Sequence, residues 1–298
     1  MKILLTGRNG QLGWELARAL APLGEIVAFD RKGLDLAFPD RIVSAVRSVR
    51  PDVLINAAAY TAVDRAESEL DAAHAINATA AGIFAEEAKR AGALCIHYST
   101  DYVFDGTKNA AYVEDDEPNP LNAYGRSKLA GEIAVRSVDG HYLILRTSWI
   151  YAERGKNFFL TIRRLLREED ELRVVSDQIG APTSAGALAD ATAELLGRHG
   201  VAALRDARGI FHATASGSTS WHGFASEIAR LERLPARIVP VASAEYPSAA
   251  RRPGNSRLSN EKLLRHFGVT LPRWETCLDK CHATLQTATH TGNEPRQV

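Results

Sequence analysis

The 298-residue sequence predicts an α/β fold, a doubly wound parallel sheet followed by a smaller α/β lobe. Three observations predict it. Short apolar runs alternate with amphipathic segments through the first half, a glycine-rich turn joins the first run to the first amphipathic segment, and the alternation breaks after Ile150. The apolar runs occupy 2–5, 26–29, 53–56, 94–98 and 142–146, each of strand length. Between them, residues 10–20 set Leu12, Leu16, Ala19 and Leu20 on one helical face, and the alanine-rich stretch 72–91 reads as a further crossover helix. Beyond Ile150 the pattern predicts a helix over 158–167, a strand over 172–175, a helix over 187–196 and a returning strand over 210–213. The expected organisation is a first domain over 1–150 rejoined by parts of 180–220, a second lobe mainly over 151–286, and a flexible polar tail over 287–298 that contains Gly292 and Pro295.

Charge narrows the partners. The 36 basic and 36 acidic residues cancel, and no basic tract is present, so neither nucleic acid nor an anionic membrane surface is expected. Small molecules or other proteins remain. The three cysteines, Cys95, Cys277 and Cys281, are an odd number that suits a reducing cytoplasm. Cys277 and Cys281 lie one helical turn apart before His282, but no further ligands stand at finger-like spacing, so they read as a packed helix face and no metal is expected. The first apolar run is too short for a signal segment or a membrane span, so the expected location is the cytoplasm.

The first run leads into Thr6-Gly7-Arg8-Asn9-Gly10-Gln11-Leu12-Gly13, with a glycine at every third position. Glycine serves where the turn takes positive φ, where backbone approaches a pyrophosphate, and where helix and strand pack closely. An ordinary tight turn is the alternative. Standing between a strand and a helix, the loop instead predicts Rossmann-type dinucleotide binding, with phosphates at the helix N-terminus. Asp30, at the end of the second run, would accept from the adenine ribose and favour NADH. Arg31 and Lys32 follow at once and could take the 2′-phosphate of NADPH, so both cofactors stay open. Asp35 and Leu36 could flank the adenine, and the small residues over 56–59 would let the cofactor pass closely, tight packing being the alternative there.

Three features then follow in order: Ser99-Thr100-Asp101 just past the fourth run, Tyr124 after a turn-rich stretch over 118–122, and Lys128. Spacing of four puts Tyr124 and Lys128 on one side of a helix. A free phenol, with a pKa near ~10, holds its proton too firmly for neutral-pH exchange, and a neighbouring ammonium would lower that value. Lys128 could also hold the nicotinamide ribose, while the Thr100 hydroxyl orients a carbonyl oxygen beside Tyr124. Tyr-x-x-x-Lys also arises by chance on solvated helices. Joined to the glycine loop and to a hydroxyl at the carboxyl end of a strand, it reads as a carbonyl reductase.

These residues resemble the extended short-chain dehydrogenase/reductase superfamily. More closely, Ser99-Thr100-Asp101-Tyr102-Val103-Phe104-Asp105-Gly106, Asn122-Ala123-Tyr124-Gly125-Arg126-Ser127-Lys128, Arg146-Thr147-Ser148-Trp149-Ile150-Tyr151 and Asp177-Gln178-Ile179-Gly180-Ala181-Pro182-Thr183, followed by Ala250-Arg251-Arg252-Pro253-Gly254-Asn255-Ser256, resemble the dTDP-4-dehydrorhamnose reductases. The resemblance spans nearly the whole chain and implies NAD(P)H-dependent reduction of the 4-keto group of dTDP-4-dehydro-L-rhamnose, giving dTDP-L-rhamnose for bacterial surface polysaccharides. It implies that Tyr124 is the proton donor, Lys128 its tuner and ribose clamp, and Thr100 the oxygen-positioning hydroxyl. Asp101 and Trp149 would line the sugar pocket, although a tryptophan at a strand end, taken alone, reads as core. Gly7, Gly10, Gln11, Leu12, Gly13, Asp30, Arg31, Asp35, Leu36, Ala59, Tyr60, Thr61 and Tyr98 would surround the cofactor, NADPH or NADH.

For the nucleotide end, Asn157, Gln178, Arg252 and Asn255 are the candidates, since a diphosphate needs cations and a base needs amides. Two other readings stay open: a non-catalytic NADP-binding regulatory subunit like that of methionine adenosyltransferase, and a reductase of another nucleotide-linked keto sugar. Members of the family can dimerise around magnesium. Glu15 matches one acidic position of that interface, but Gly186 stands where the partner glutamate is expected. The expectation is therefore a solvated Glu15, no magnesium, and a monomer or weak homodimer.

Overall fold

A computed structural model describes residues 1–290. In the first half, β1 (Lys2–Thr6), β2 (Glu25–Phe29), β3 (Val53–Asn56), β4 (Leu94–Thr100) and β5 (Tyr142–Thr147) alternate with α1 (Gln11–Ala19), α2 (Pro39–Val49), α3 (Val63–Ala66), α4 (Leu70–His74), α5 (Ala80–Ala91) and α6 (Ala123–Ser137). β3 and β4 are buried at every residue, which explains their continuous apolar runs: both faces of a parallel sheet are covered. The single helix expected over 72–91 is interrupted. Between α4 and α5 lies a π-helical turn, Ala75–Thr79, which carries the buried Asn77. Asn77 Oδ1 accepts the Tyr60 N–H at 2.8 Å, and Nδ2 donates to the Tyr60 carbonyl and to Ser127 Oγ. Periodicity gives no sign of this turn, because its purpose is polar.

The second half runs β6 (Ile150–Tyr151), α7 (Phe158–Glu168), β7 (Glu171–Val175), β8 (Ile179–Gly180), β9 (Thr183–Ser184), α8 (Ala185–Asp206), β10 (Gly209–His212), β11 (Thr219–Ser220), α9 (Trp221–Glu232), β12 (Arg237–Val241), α10 (Glu261–Phe267) and α11 (Trp274–His290). β10 returns beside β5 to complete a parallel sheet of order β10-β5-β4-β3-β1-β2. The order reverses between β1 and β3, so the crevice for a ligand lies beyond the carboxyl ends of these strands. α8 extends past the expected 187–196, kinks at Gly200 and packs on α1. α11 takes in residues 287–290 of the expected tail, and 291–298 lie outside the described residues.

One core lies against the sheet, through Leu5, Leu16, Ile55, Ile96, Leu145 and Leu188. Another joins Tyr151, Phe159, Leu172, Phe224, Leu278 and Trp274 beneath the parallel pair of β7 and β12. Cys277 and Cys281 point into this second core, where burial raises both thiols above their ordinary range. Glu15 departs from the solvated expectation. It is 8% exposed and clamped by Arg18 at 2.7 Å, because α8 covers the face of α1 that carries it. Among the described residues no helix is long and apolar enough to cross a membrane, and no group of three or more His, Cys, Asp or Glu side chains is arranged to hold a metal.

Candidate active site

The phosphate cradle follows from close packing at the end of β1. Gly7 takes a φ of 77°, and a Cβ on Gly13 would lie 2.1 Å from the Gly7 carbonyl oxygen, so α1 can start against the loop only with glycine there. Gly10 caps α1 without a side chain, which leaves the first-turn N–H groups free for an anion. This cradle fits a dinucleotide pyrophosphate. Gln11 reaches across it to accept from Asn157 Nδ2 at 2.8 Å, while Leu12 turns into the core.

At the end of β2, Asp30 accepts the Gly33 N–H at 2.9 Å and Asn9 Nδ2 at 3.0 Å, and chiefly the Gly33 bond holds its carboxyl below the usual range. Arg31 projects into solvent, 3.6 Å from Asp35, whose Oδ1 also accepts the Ala37 N–H. Leu36 packs in the core with Leu34 and Ile42. Ala59, Tyr60 and Thr61 follow β3. Thr61 is exposed, and Tyr60 packs with Tyr124 on Ala66, Ala73 and Ala123.

The candidate catalytic residues converge because α6 begins against the turn that ends β4. Asn122 caps α6 by accepting the Gly125 N–H at 2.8 Å, and a Cβ on Gly125 would sit 2.2 Å from the Tyr102 carbonyl oxygen. This contact brings the Tyr124 phenol to the Thr100 hydroxyl. Thr100 Oγ1 donates to Asp101 Oδ1 at 3.0 Å and accepts the Tyr102 N–H. Lys128 Nζ donates to the Tyr98 carbonyl at 2.6 Å and stands 3.5 Å from His97 Nε2. Tyr98 thus offers its backbone to the site, while its hydroxyl bonds Thr192 at 2.7 Å on the α8 side.

The electrostatics differ from the simplest expectation. Burial pushes the Tyr124 phenol up to about 12, with the Thr100 hydroxyl opposing the rise and the neighbouring Asp101 adding to it. Burial also pulls Lys128 down to about 8, with Glu132 opposing. Asp101, 2% exposed, is pushed up to about 7 by burial against hydrogen bonding from Ser256 and Thr100, and its Oδ2 lacks an aligned partner.

A polar chain that sequence reasoning missed runs beneath the site. His97 Nδ1 lies 3.2 Å from Asn56 Nδ2, Asn56 Oδ1 accepts from Thr6 Oγ1 at 2.8 Å, and Thr6 Oγ1 accepts the Ala58 N–H. His97 is held well below its ordinary range by burial and by Lys128, so it is neutral. The available signal was a polar residue following the aliphatic run of each of the three strands.

Trp149 sits just past β5 with a φ of 47°, a strained left-handed conformation for a bulky residue. Its indole stacks on Trp221 at 3.5 Å and 4°, and a Cβ on Gly180 would lie 2.5 Å from it. Trp221 is another residue that sequence reasoning missed. Asn157 caps α7 by accepting the Leu160 N–H and donates to Gln11 and to the Ala152 and Arg154 carbonyls, so its amide is occupied at the junction of the two halves. Gln178 donates to Ser243 Oγ at 2.9 Å. Asn255 is engaged by the Lys108 and Ala110 carbonyls and by Arg257. Arg252 pairs with Asp64 at 2.7 Å and reaches Tyr102, whose ring lies edge-on to that of Tyr124.

Comparison with known proteins agrees with this geometry. A family model described as the RmlD substrate binding domain matches residues 1–287. The dTDP-4-dehydrorhamnose reductase of Burkholderia thailandensis is 49% identical, with 94% of this chain and 98% of that relative covered. That of Escherichia coli K12 is 46% identical over 97% and 99%. Among solved structures, the dTDP-4-dehydrorhamnose reductase of Bacillus anthracis in complex with NADP superposes with a TM-score of 0.89 at 38% identity, covering 95% of this chain and 99% of that one. The Clostridium acetobutylicum orthologue gives 0.91 at 38% identity, covering 96% and 100%. Matched from end to end in sequence and in fold, with phosphate cradle and Thr-Tyr-Lys constellation in place, this chain belongs to the dTDP-4-dehydrorhamnose reductase family.

Proposed function

We propose that this chain reduces the 4-keto group of dTDP-4-dehydro-L-rhamnose to give dTDP-L-rhamnose, with NADPH as reductant. The observation that carries the reading is the meeting of Thr100, Tyr124 and Lys128 at the carboxyl end of β4, next to the Gly7–Gly13 cradle, in a chain whose relatives bear that activity. When bound, NADPH supplies the hydride that C4 receives. Tyr124 gives its proton to the developing alcohol oxygen, Thr100 orients that oxygen, and Lys128 places its ammonium beside the ribose and the phenol. Asp30 is occupied by Gly33 and Asn9, while the exposed Arg31 is paired only with Asp35 at 3.6 Å and can turn to a 2′-phosphate, which supports NADPH over NADH.

Residues 151–286 form the substrate lobe in this reading, with Asp101 and Trp149 lining the sugar pocket and Arg252 next to the diphosphate. The chain acts in the cytoplasm, supplies a surface polysaccharide, and is a monomer or weak dimer. Gly186 lies against Glu15, its Cβ position 3.8 Å from Oε2, and adds no second carboxylate for a magnesium bridge.

The test is direct. Purified protein given dTDP-4-dehydro-L-rhamnose should consume NADPH, and Tyr124→Phe should lose ~10²-fold or more of that turnover while staying folded. Cofactor binding without turnover, in conditions where a control reductase works, would instead identify a regulatory subunit.

A further inference from the structure

The segment 152–157, which leads from β6 into α7, lies along the first turn of α1. Asn157 Nδ2 donates to Gln11 Oε1 at 2.8 Å and to the Arg154 carbonyl at 3.1 Å, so the Arg154 main chain stands two hydrogen bonds from the first residue of α1. Gly155, with a φ of 73°, makes the turn there, and a Cβ on it would sit 3.4 Å from Gln11 Cγ. Arg154 then lays its guanidinium over Trp14, its central carbon 3.7 Å from the ring centroid. Trp14 lies one turn further along α1 and is 47% exposed. Among the described residues the Arg154 guanidinium makes no hydrogen bond and no ion pair. Covering an indole does not call for an unpaired charge, since an aliphatic side chain would cover it as well. A guanidinium packed on a ring face directs its N–H donors outward in its own plane, where an oxyanion can meet them.

The cradle at that end of α1 is short of positive charge. Its free N–H groups are equivalent to roughly half a unit charge, whereas a dinucleotide pyrophosphate carries about two negative ones. Arg8 is the one cation in the 6–13 loop, and its N–H is held by the Phe29 carbonyl at 3.0 Å, at the β2 end where Asp30 and Arg31 stand. Arg154 is at the other end, beside Gln11.

We propose that Arg154 binds the pyrophosphate of the dinucleotide cofactor together with the α1 N–H groups, and that Trp14 is the platform that holds its guanidinium ready beside them. The role takes the cofactor from the reductase reading above and adds a residue to its cradle. A planar fork matches two phosphate oxygens, and stacking on Trp14 limits the side-chain freedom that binding would otherwise remove. Asn157 keeps the segment in register with Gln11, which gives its fully occupied amide a purpose at the cofactor end.

Equilibrium titration, without turnover, tests the idea. Arg154→Ala should raise the Kd for NADPH about tenfold, as expected for loss of a charged hydrogen bond, and raise the Kd for NADH and for ADP-ribose by the same factor. All three ligands carry the pyrophosphate. Binding of adenosine 2′-monophosphate, which lacks it, should stay within about twofold. Arg154→Gln keeps most of the length and loses the charge, so it should match alanine, and in both variants the Kd should rise less steeply with salt than in wild type. Trp14→Ala keeps the charge and removes the platform, and should cost about threefold. Weakening of NADPH alone would assign Arg154 to the 2′-phosphate and overturn the proposal. Unchanged affinity for all three dinucleotide ligands would overturn it too, leaving Arg154 a cover for Trp14. Should wild type fail to reduce the nucleotide sugar, the reductase reading falls, and the titrations still decide the role of Arg154.

Discussion

Lys128 carries two pH effects of opposite sign. Burial brings its ammonium from an ordinary 10.5 down to about 8. Between those values the folded chain has released a proton that the unfolded chain still holds, so folding stability should rise with pH across that window. Turnover should do the reverse, since the ammonium beside the phenol and ribose disappears as pH rises through about 8. Thermal unfolding and kcat profiles should therefore diverge above pH 8, and Lys128→Met should remove both trends together. Parallel profiles would remove Lys128 from the charge-bearing role. The spacing of Tyr124 and Lys128 and the hydroxyl of Thr100 were legible in the sequence, because a helical period and a strand end are local. Asn157 and Asn255 were not. An amide reads the same whether it faces a base or, as here, the carbonyls of Ala152 and Lys108.

At the scale of elements, the five apolar runs of the first half became strands with ends shifted by no more than two residues, since a buried parallel strand declares itself by composition. The two-residue strands β6, β8, β9 and β11 were invisible, being too short to show any period. The 72–91 stretch misled for another reason: alanine propensity favours an uninterrupted helix, yet the demand of Tyr60 and Ser127 for Asn77 breaks it into a π turn. The contact between α1 and its loop carries a clear expectation. Gly13→Ala places a methyl 2.1 Å from the Gly7 carbonyl oxygen, so α1 must back away, costing about 1–3 kcal/mol of stability. NADPH binding, measured by fluorescence titration, should weaken by more than tenfold. Binding at wild-type strength would show that the cradle does not depend on this close approach.

In the whole molecule, the two halves are tied at separated points. Gln11 meets Asn157 above the cradle, Asn122 Nδ2 donates to the Arg251 carbonyl at 2.8 Å, and Arg252 holds Asp64. Arg252 is the tie with a chemical neighbour. Arg252→Ala should raise the KM for the nucleotide sugar about tenfold or more, as expected for loss of a charged hydrogen bond, while leaving the KM for NADPH within about twofold. Equal loss for both ligands would mean that Arg252 serves only to hold the halves together. None of these ties could be read from the sequence, because each joins residues more than 100 positions apart.

The polar chain beneath the site also bears on how the sheet assembles. Thr6 and Asn56 are register partners across β1 and β3, and Asn56 and His97 are partners across β3 and β4, so the three side chains occupy one transverse row. A slip of one residue on β4 would turn His97 to the opposite face and set Ile96 or Tyr98 against Asn56, leaving a buried amide without its partner. Apolar neighbours in these strands could tolerate a slip of two, exchanging one aliphatic for another. The row could not. Thr6, Asn56 and His97 thus act as an alignment key for three central strands, and the register that keeps the key closed is the one that sets Lys128 beside Tyr98.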